Sequence, residues 1–155
     1  MTSDNTPVAA LTISTVESPL LSALREMQAT HENNKPFVVI DCTKNHRFIQ
    51  FYGGHGKPIG IELVCDVGSD SEGFLLKHTY PVQNHAAARE IFGELSTCPV
   101  PHPFSDLMFY RKFIDSPEDA AALAVKVMRE VMLLTETDLL EIDTATVTQN
   151  RSMVN

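Results

Sequence analysis

Basic clusters are missing from this chain. Its 12 Lys and Arg are scattered among 20 Asp and Glu, with no basic run longer than a single Arg-Lys step. The net charge is −8. That argues against nucleic acid or an anionic membrane as the main partner, because both need clustered cations. Long apolar runs are also missing: nothing approaches the roughly 20 residues of a membrane span. The N-terminus lacks the basic start and apolar stretch of a secretory signal. Cysteine is scarce, with Cys42, Cys65 and Cys98 widely spaced and no CxxC or Cys/His zinc pattern among them. Cys42 and Cys65 sit in strand-like apolar runs and read as buried thiols, which suits a reducing compartment. Cytoplasm is the expected location.

Catalytic signatures are absent as well. There is no GxSxG elbow, no dinucleotide fingerprint, and no HxH or HExxH among the six histidines. The sequence therefore nominates no catalytic residue, no metal ligand and no cofactor.

What is present is an ordinary globular composition, 43% hydrophobic and 21% charged over 155 residues. It suits one domain. The small, polar and aperiodic residues 1–13 read as a flexible N-terminus, 14–143 as the domain, and 144–155 as a flexible tail.

Helical spacing of Leu20, Leu21, Leu24 and Met27 predicts a first helix. Ser18 with Pro19 would start it, or Ser14 with Glu17 as a capping box. Three strands follow. PFVVIDC is β-rich. HRFIQFYG puts Phe48, Gln50 and Tyr52 on one face and Arg47, Ile49 and Phe51 on the other. PIGIELVCD puts Ile59, Ile61, Leu63 and Cys65 on one face. FLLKHTY, 74–80, reads as a fourth strand. Asn84 caps a second helix, HAAAREIFGELS. The prolines of CPVPHP break it and bar regular structure there. SDLMFYRKFI reads as a further strand. Ser116, Pro117, Glu118 and Asp119 then open a helix over 117–134.

Strands grouped in a block predict an α+β fold. Its antiparallel sheet of about five strands is packed by helices in the order α-β-β-β-(β)-α-β-α.

GGHGK, 53–57, leads into Pro58 and a strand, not into a helix, so a phosphate loop is not expected. Its glycines read as a hairpin connection and His55 as a solvated turn residue. Glu62, inside an apolar strand, faces solvent or pairs with Arg47 on the neighbouring strand. Leu107, Met108, Phe109, Tyr110, Phe113 and Ile114 are more apolar than a single-sided strand needs. The surplus nominates Leu107, Phe109, Tyr110 and Phe113 for contact with a partner.

Two segments, FIQFYGGHGKPIGIELV and HPFSDLMFYRKFIDSPEDAAALAVKVMREVM, carry a resemblance. They are similar to the glycine-turned strand pair and the final strand plus alanine-rich helix of type III secretion chaperones and YbjN-like peptide-binding chaperones. The resemblance spans roughly 15–142 and implies an order of helix, strand block, helix, strand, helix. It also implies a homodimer, a protein or extended peptide as partner, and neither cofactor nor reaction. Two other readings remain open. One is an acidic immunity or inhibitor protein covering a basic toxin surface. The other is an enzyme or small-molecule binder without a recognisable motif.

Overall fold

The computed structural model describes residues 10–43, 47–66, 82–99 and 106–146. Three α-helices lie among them: α1 (Glu17–Ala29), α2 (His85–Phe92) and α3 (Pro117–Glu130). Six strands form one antiparallel sheet: β1 (Pro36–Cys42), β2 (Arg47–Tyr52), β3 (Ile59–Asp66), β4 (Ser96–Pro99), β5 (Asp106–Ile114) and β6 (Leu140–Thr146). They are arranged β4-β5-β3-β2-β1-β6. The fold is α+β, as the block of strands predicts.

Alternation along each strand decides the core. Val38, Ile40, Ile49, Phe51, Ile59, Ile61 and Leu63 project from one face of the sheet and are buried. On that face α1 contributes Leu20, Leu24 and Met27, and α3 contributes Ala120, Ala124, Val127 and Met128. The small alanines let α3 lie close to the sheet and to α1. Each fully buried aliphatic side chain contributes about 1.5–3 kcal/mol over its exposed state.

Helix starts follow local chemistry. Ser116 Oγ accepts from the Asp119 amide at 3.2 Å, with Pro117 in the first turn. Asn84 Oδ1 accepts from the Ala87 amide at 3.2 Å and starts α2. α1 begins at Glu17 without a side-chain cap. Neither expected start is used: Ser14 instead donates from its hydroxyl to Glu136.

Other expectations change. α3 ends at Glu130 and not at 134, because the chain turns through Leu133 at φ 55°. α2 ends at Phe92, and β4 occupies Ser96–Pro99, where the end of that helix and the start of the irregular CPVPHP segment are expected. As an edge strand it tolerates Pro99, whose missing N–H interrupts no second ladder. β6 is a strand beyond the expected order; it crosses the expected boundary at 143 to reach Thr146 and pairs with the whole of β1, from Cys42↔Leu140 to Pro36↔Thr146. The strand expected at 74–80 lies outside the described residues, as do 147–155.

Among the described residues no helix is long and apolar enough to cross a membrane.

Candidate functional site

The sheet has a second face, and no described helix packs on it. β5 shows the two faces most clearly. Tyr110 is fully buried in the core, where its hydroxyl lies 3.0 Å from His85 Nδ1 and its ring packs against Phe92. It anchors α2 to the sheet and offers a partner no surface. Phe109, Arg111 and Phe113 alternate onto the opposite face. Phe109 is also buried, beneath the Arg111 guanidinium, which stacks 4.4 Å from its ring centre. Phe113 is 54% exposed. Of the nominated residues Phe109, Tyr110 and Phe113, the fold leaves Phe113 open. The Leu107 side chain lies outside the described ones.

An ion pair sits at the centre of this face. Glu62 is 7% exposed. Across from it on β5, Arg111 donates to Glu62 Oε2 from Nε at 3.0 Å and from Nη2 at 2.7 Å. Across from it on β2, Gln50 donates to Oε1. Arg47, the expected partner, instead donates to the Met132 carbonyl at 3.3 Å. Tyr52 completes the cluster. Its ring meets Phe113 edge to face, with centres 6.2 Å apart. Burial, and then the nearby Glu62 carboxylate, push its phenol above the ordinary value. With the Glu62 and Arg111 charges matched inside the cluster, these groups tie β2, β3 and β5 together on this face. A general base would need a proton to abstract within reach, and Glu62 is already saturated with donors.

The opposite border of the sheet is different in kind. β6 is the edge strand, and its backbone polarity can be assigned. The Thr43 amide bonds the Leu139 carbonyl at 3.3 Å, whereas the Leu140 amide turns outward to the Leu11 carbonyl at 2.8 Å. Alternation then points the N–H and C=O of Ile142 and Thr144 outward as well. Among the described residues, only Leu11 bridges to this border.

Beside the border lies a mostly apolar cleft of about 540 Å³, walled by Leu11, Pro19, Leu139, Leu140 and Ile142, with Ala10, Thr43 and Glu141 also on its lining. On the other side of the sheet, Glu141 and Asp143 stand exposed, and Asp41 lies across from Glu141. This border therefore combines outward-facing backbone that has no partner at Ile142 and Thr144 among the described residues, an apolar cleft and carboxylates. Sequence reasoning missed it by assigning no strand to 140–143 and taking 144–155 as a tail. The alternation Leu140, Ile142, Thr144 against Glu141, Asp143 was the available signal.

Among the described residues there is no group of three or more His, Cys, Asp or Glu able to hold a metal ion. Cys42 is buried and forms no disulfide among the described residues. His55 is exposed on the β2–β3 loop. No protein-family model, curated protein or solved structure matches this chain.

Proposed function

We propose that the protein is a chaperone-like binding module that takes an extended segment of another protein as an added strand on β6, and that it catalyses no reaction. The observation that carries this reading is the outward-facing backbone of Ile142 and Thr144 beside the apolar cleft. An added strand gains affinity through main-chain hydrogen bonds and selectivity through alternate side chains. Side chains on the helix side of such a strand would enter the cleft. Those on the other side would meet Glu141 and Asp143, so the preferred segment alternates apolar with Lys or Arg. The same carboxylates repel a second β6 and so disfavour edge-to-edge pairing of two copies. The resemblance to peptide-binding chaperones points to the same kind of partner, although this fold has β4 and β6 beyond the element order that the resemblance implies. A cytoplasmic location suits such a role.

The test is titration of the 15N-labelled protein with synthetic peptides of alternating basic and apolar residues. The Ile142 and Thr144 amides are expected to shift and to gain protection from exchange. Binding that leaves both amides unchanged refutes the edge reading.

The carboxylates also favour a second reading, an acidic inhibitor that covers a basic folded surface. It predicts tight, strongly salt-dependent binding to a folded partner and none to peptides.

A further inference from the structure

The open stretch of the β6 border is short. The Leu140 amide is taken by the Leu11 carbonyl, and Leu11 bridges Leu140 in antiparallel register. An added strand therefore meets outward backbone at Ile142 and Thr144. Main-chain bonds there replace bonds to water, so their net gain is small against the cost of ordering an extended segment. Selective affinity has to come from a side chain.

The cleft beside the border can receive one. In a strand added to β6, the residues paired with Leu140, Ile142 and Thr144 point their side chains to the helix side. Leu11 occupies the place opposite Leu140, and the cleft lining takes in Leu139 to Ile142 but not Thr144. The residue paired with Ile142 is thus the one that faces the cleft. It meets about 540 Å³ of space. A small aliphatic side chain would leave much of that space empty and forfeit its packing contacts. Leu139 is 47% exposed on the wall, and Pro19 is exposed beside it. An aromatic ring would cover both. Thr43 and Glu141 are the polar residues of the lining, and their side-chain oxygens can accept from an indole N–H or a phenol O–H.

We infer that this border selects its segment by one tryptophan or tyrosine, paired with Ile142 and seated in the cleft, with Lys or Arg on either side of it. The flanking charges follow from complementarity. The neighbours of the anchor point to the other face of the sheet, where Glu141 and Asp143 are exposed carboxylates. A second copy of this chain is a poor occupant, because its own β6 presents the same carboxylates. This anchor rests on the strand-addition reading of β6 and determines which segments that border accepts.

The chain has no tryptophan, so emission from a tryptophan peptide is read without background. Peptides alternating Lys with Val, and carrying Trp, Tyr or Ala at one apolar position, are titrated into the full 15N-labelled chain. The Trp peptide is expected to shift its emission to the blue. Both aromatic peptides are expected to bind roughly tenfold or more tightly than the Ala peptide. The Ile142 and Thr144 amides move in every titration. Leu139→Ser weakens the Trp peptide roughly three- to tenfold and leaves the Ala peptide nearly unchanged. Leu133→Ser, at an exposed leucine outside the cleft lining, changes neither. Thermal melts establish that both variants fold, and the peptide series is decisive without them. Equal affinity of the Trp and Ala peptides, with both amides still moving, overturns the anchor and leaves strand addition standing. A blue shift with both amides unmoved overturns strand addition and the anchor with it. Free N-acetyltryptophanamide binding as tightly as the Trp peptide assigns the cleft to a small aromatic molecule and overturns the anchor. Shifts of the same amides that grow with protein concentration, without peptide, assign the border to a second copy and overturn it too.

Discussion

The Tyr52 ring lies directly over Gly60 on the neighbouring strand, where a Cβ would come within 2.5 Å of Tyr52 Cζ. The glycine is there for the ring and not for a turn. Gly60→Ala is expected to displace Tyr52 and to cost about 1–2 kcal/mol in urea denaturation. In a Tyr52→Thr background the same substitution becomes neutral or stabilising, because alanine suits a strand better than glycine. Equal costs in both backgrounds would show that the ring is not the cause.

Glu62 and Arg111 illustrate how a nearly buried charge depends on its partner. Arg111→Met leaves the Glu62 carboxylate with Gln50 alone and is expected to cost about 2–3 kcal/mol. Adding Glu62→Leu removes the stranded charge and recovers most of that loss. A double-mutant cycle by urea denaturation measures the coupling. A double variant no more stable than Arg111→Met contradicts the account.

These two contacts mark the limit of what the sequence reveals. Alternation alone placed Ile59, Ile61 and Leu63 on one face and Gly60 and Glu62 on the other, and the fold agrees. Alternation does not say which strand comes alongside. Arg111 is 49 positions from Glu62, and only the β3–β5 pairing brings them together. Run-on hydrophobicity in β5 had the same weakness. It flagged an excess of apolar residues from Leu107 to Ile114 but not that Tyr110 points inward and Phe113 outward. Proline misled at β4 because an edge strand lacks the second ladder that makes proline costly.

Leu133 carries an exposed, unfavourable backbone. Its φ is 55° and it is 52% exposed. Left-handed backbone costs an L-residue of this kind roughly 1–2 kcal/mol, and glycine adopts it freely. Leu133→Gly is therefore expected to stabilise the protein by about 0.5–1 kcal/mol, after allowing for glycine's extra unfolded-state entropy. Leu133→Ala keeps the strain and gives no such gain. Thermal melts of the pair decide it.

Acid exposes the link between α1 and α3. Arg25 donates to Glu118. That bond, followed by Glu118's own backbone amide and the Ser116 hydroxyl, lowers the Glu118 carboxyl from 4.5 to about 2. A folded-state value below the unfolded one stabilises above the unfolded value, and the stabilisation is lost as pH falls through the folded value. Arg25→Met is therefore expected to melt slightly below the parent at pH 7. The gap should close as pH drops from 4.5 towards 2. The effect is small because both side chains are more than half exposed. A gap that widens with acid would reverse the assigned sign.

Proline distinguishes the two sides of β6. Glu141 and Asp143 direct their amides to β1, and Ile142 and Thr144 direct theirs outward. Asp143→Pro removes a ladder bond inside the sheet and is expected to cost about 3 kcal/mol or more. Thr144→Pro removes only an amide that faces away from the sheet, which edge strands tolerate. It should remain within about 1 kcal/mol of the parent in denaturant melts. It should nevertheless abolish the peptide binding proposed for this border, since that amide would join the added strand. If Thr144→Pro folds normally and still binds the alternating basic peptides, the partner does not dock by strand addition at Thr144. The acidic surface of Asp41, Glu141 and Asp143 would then be the remaining basis for recognition.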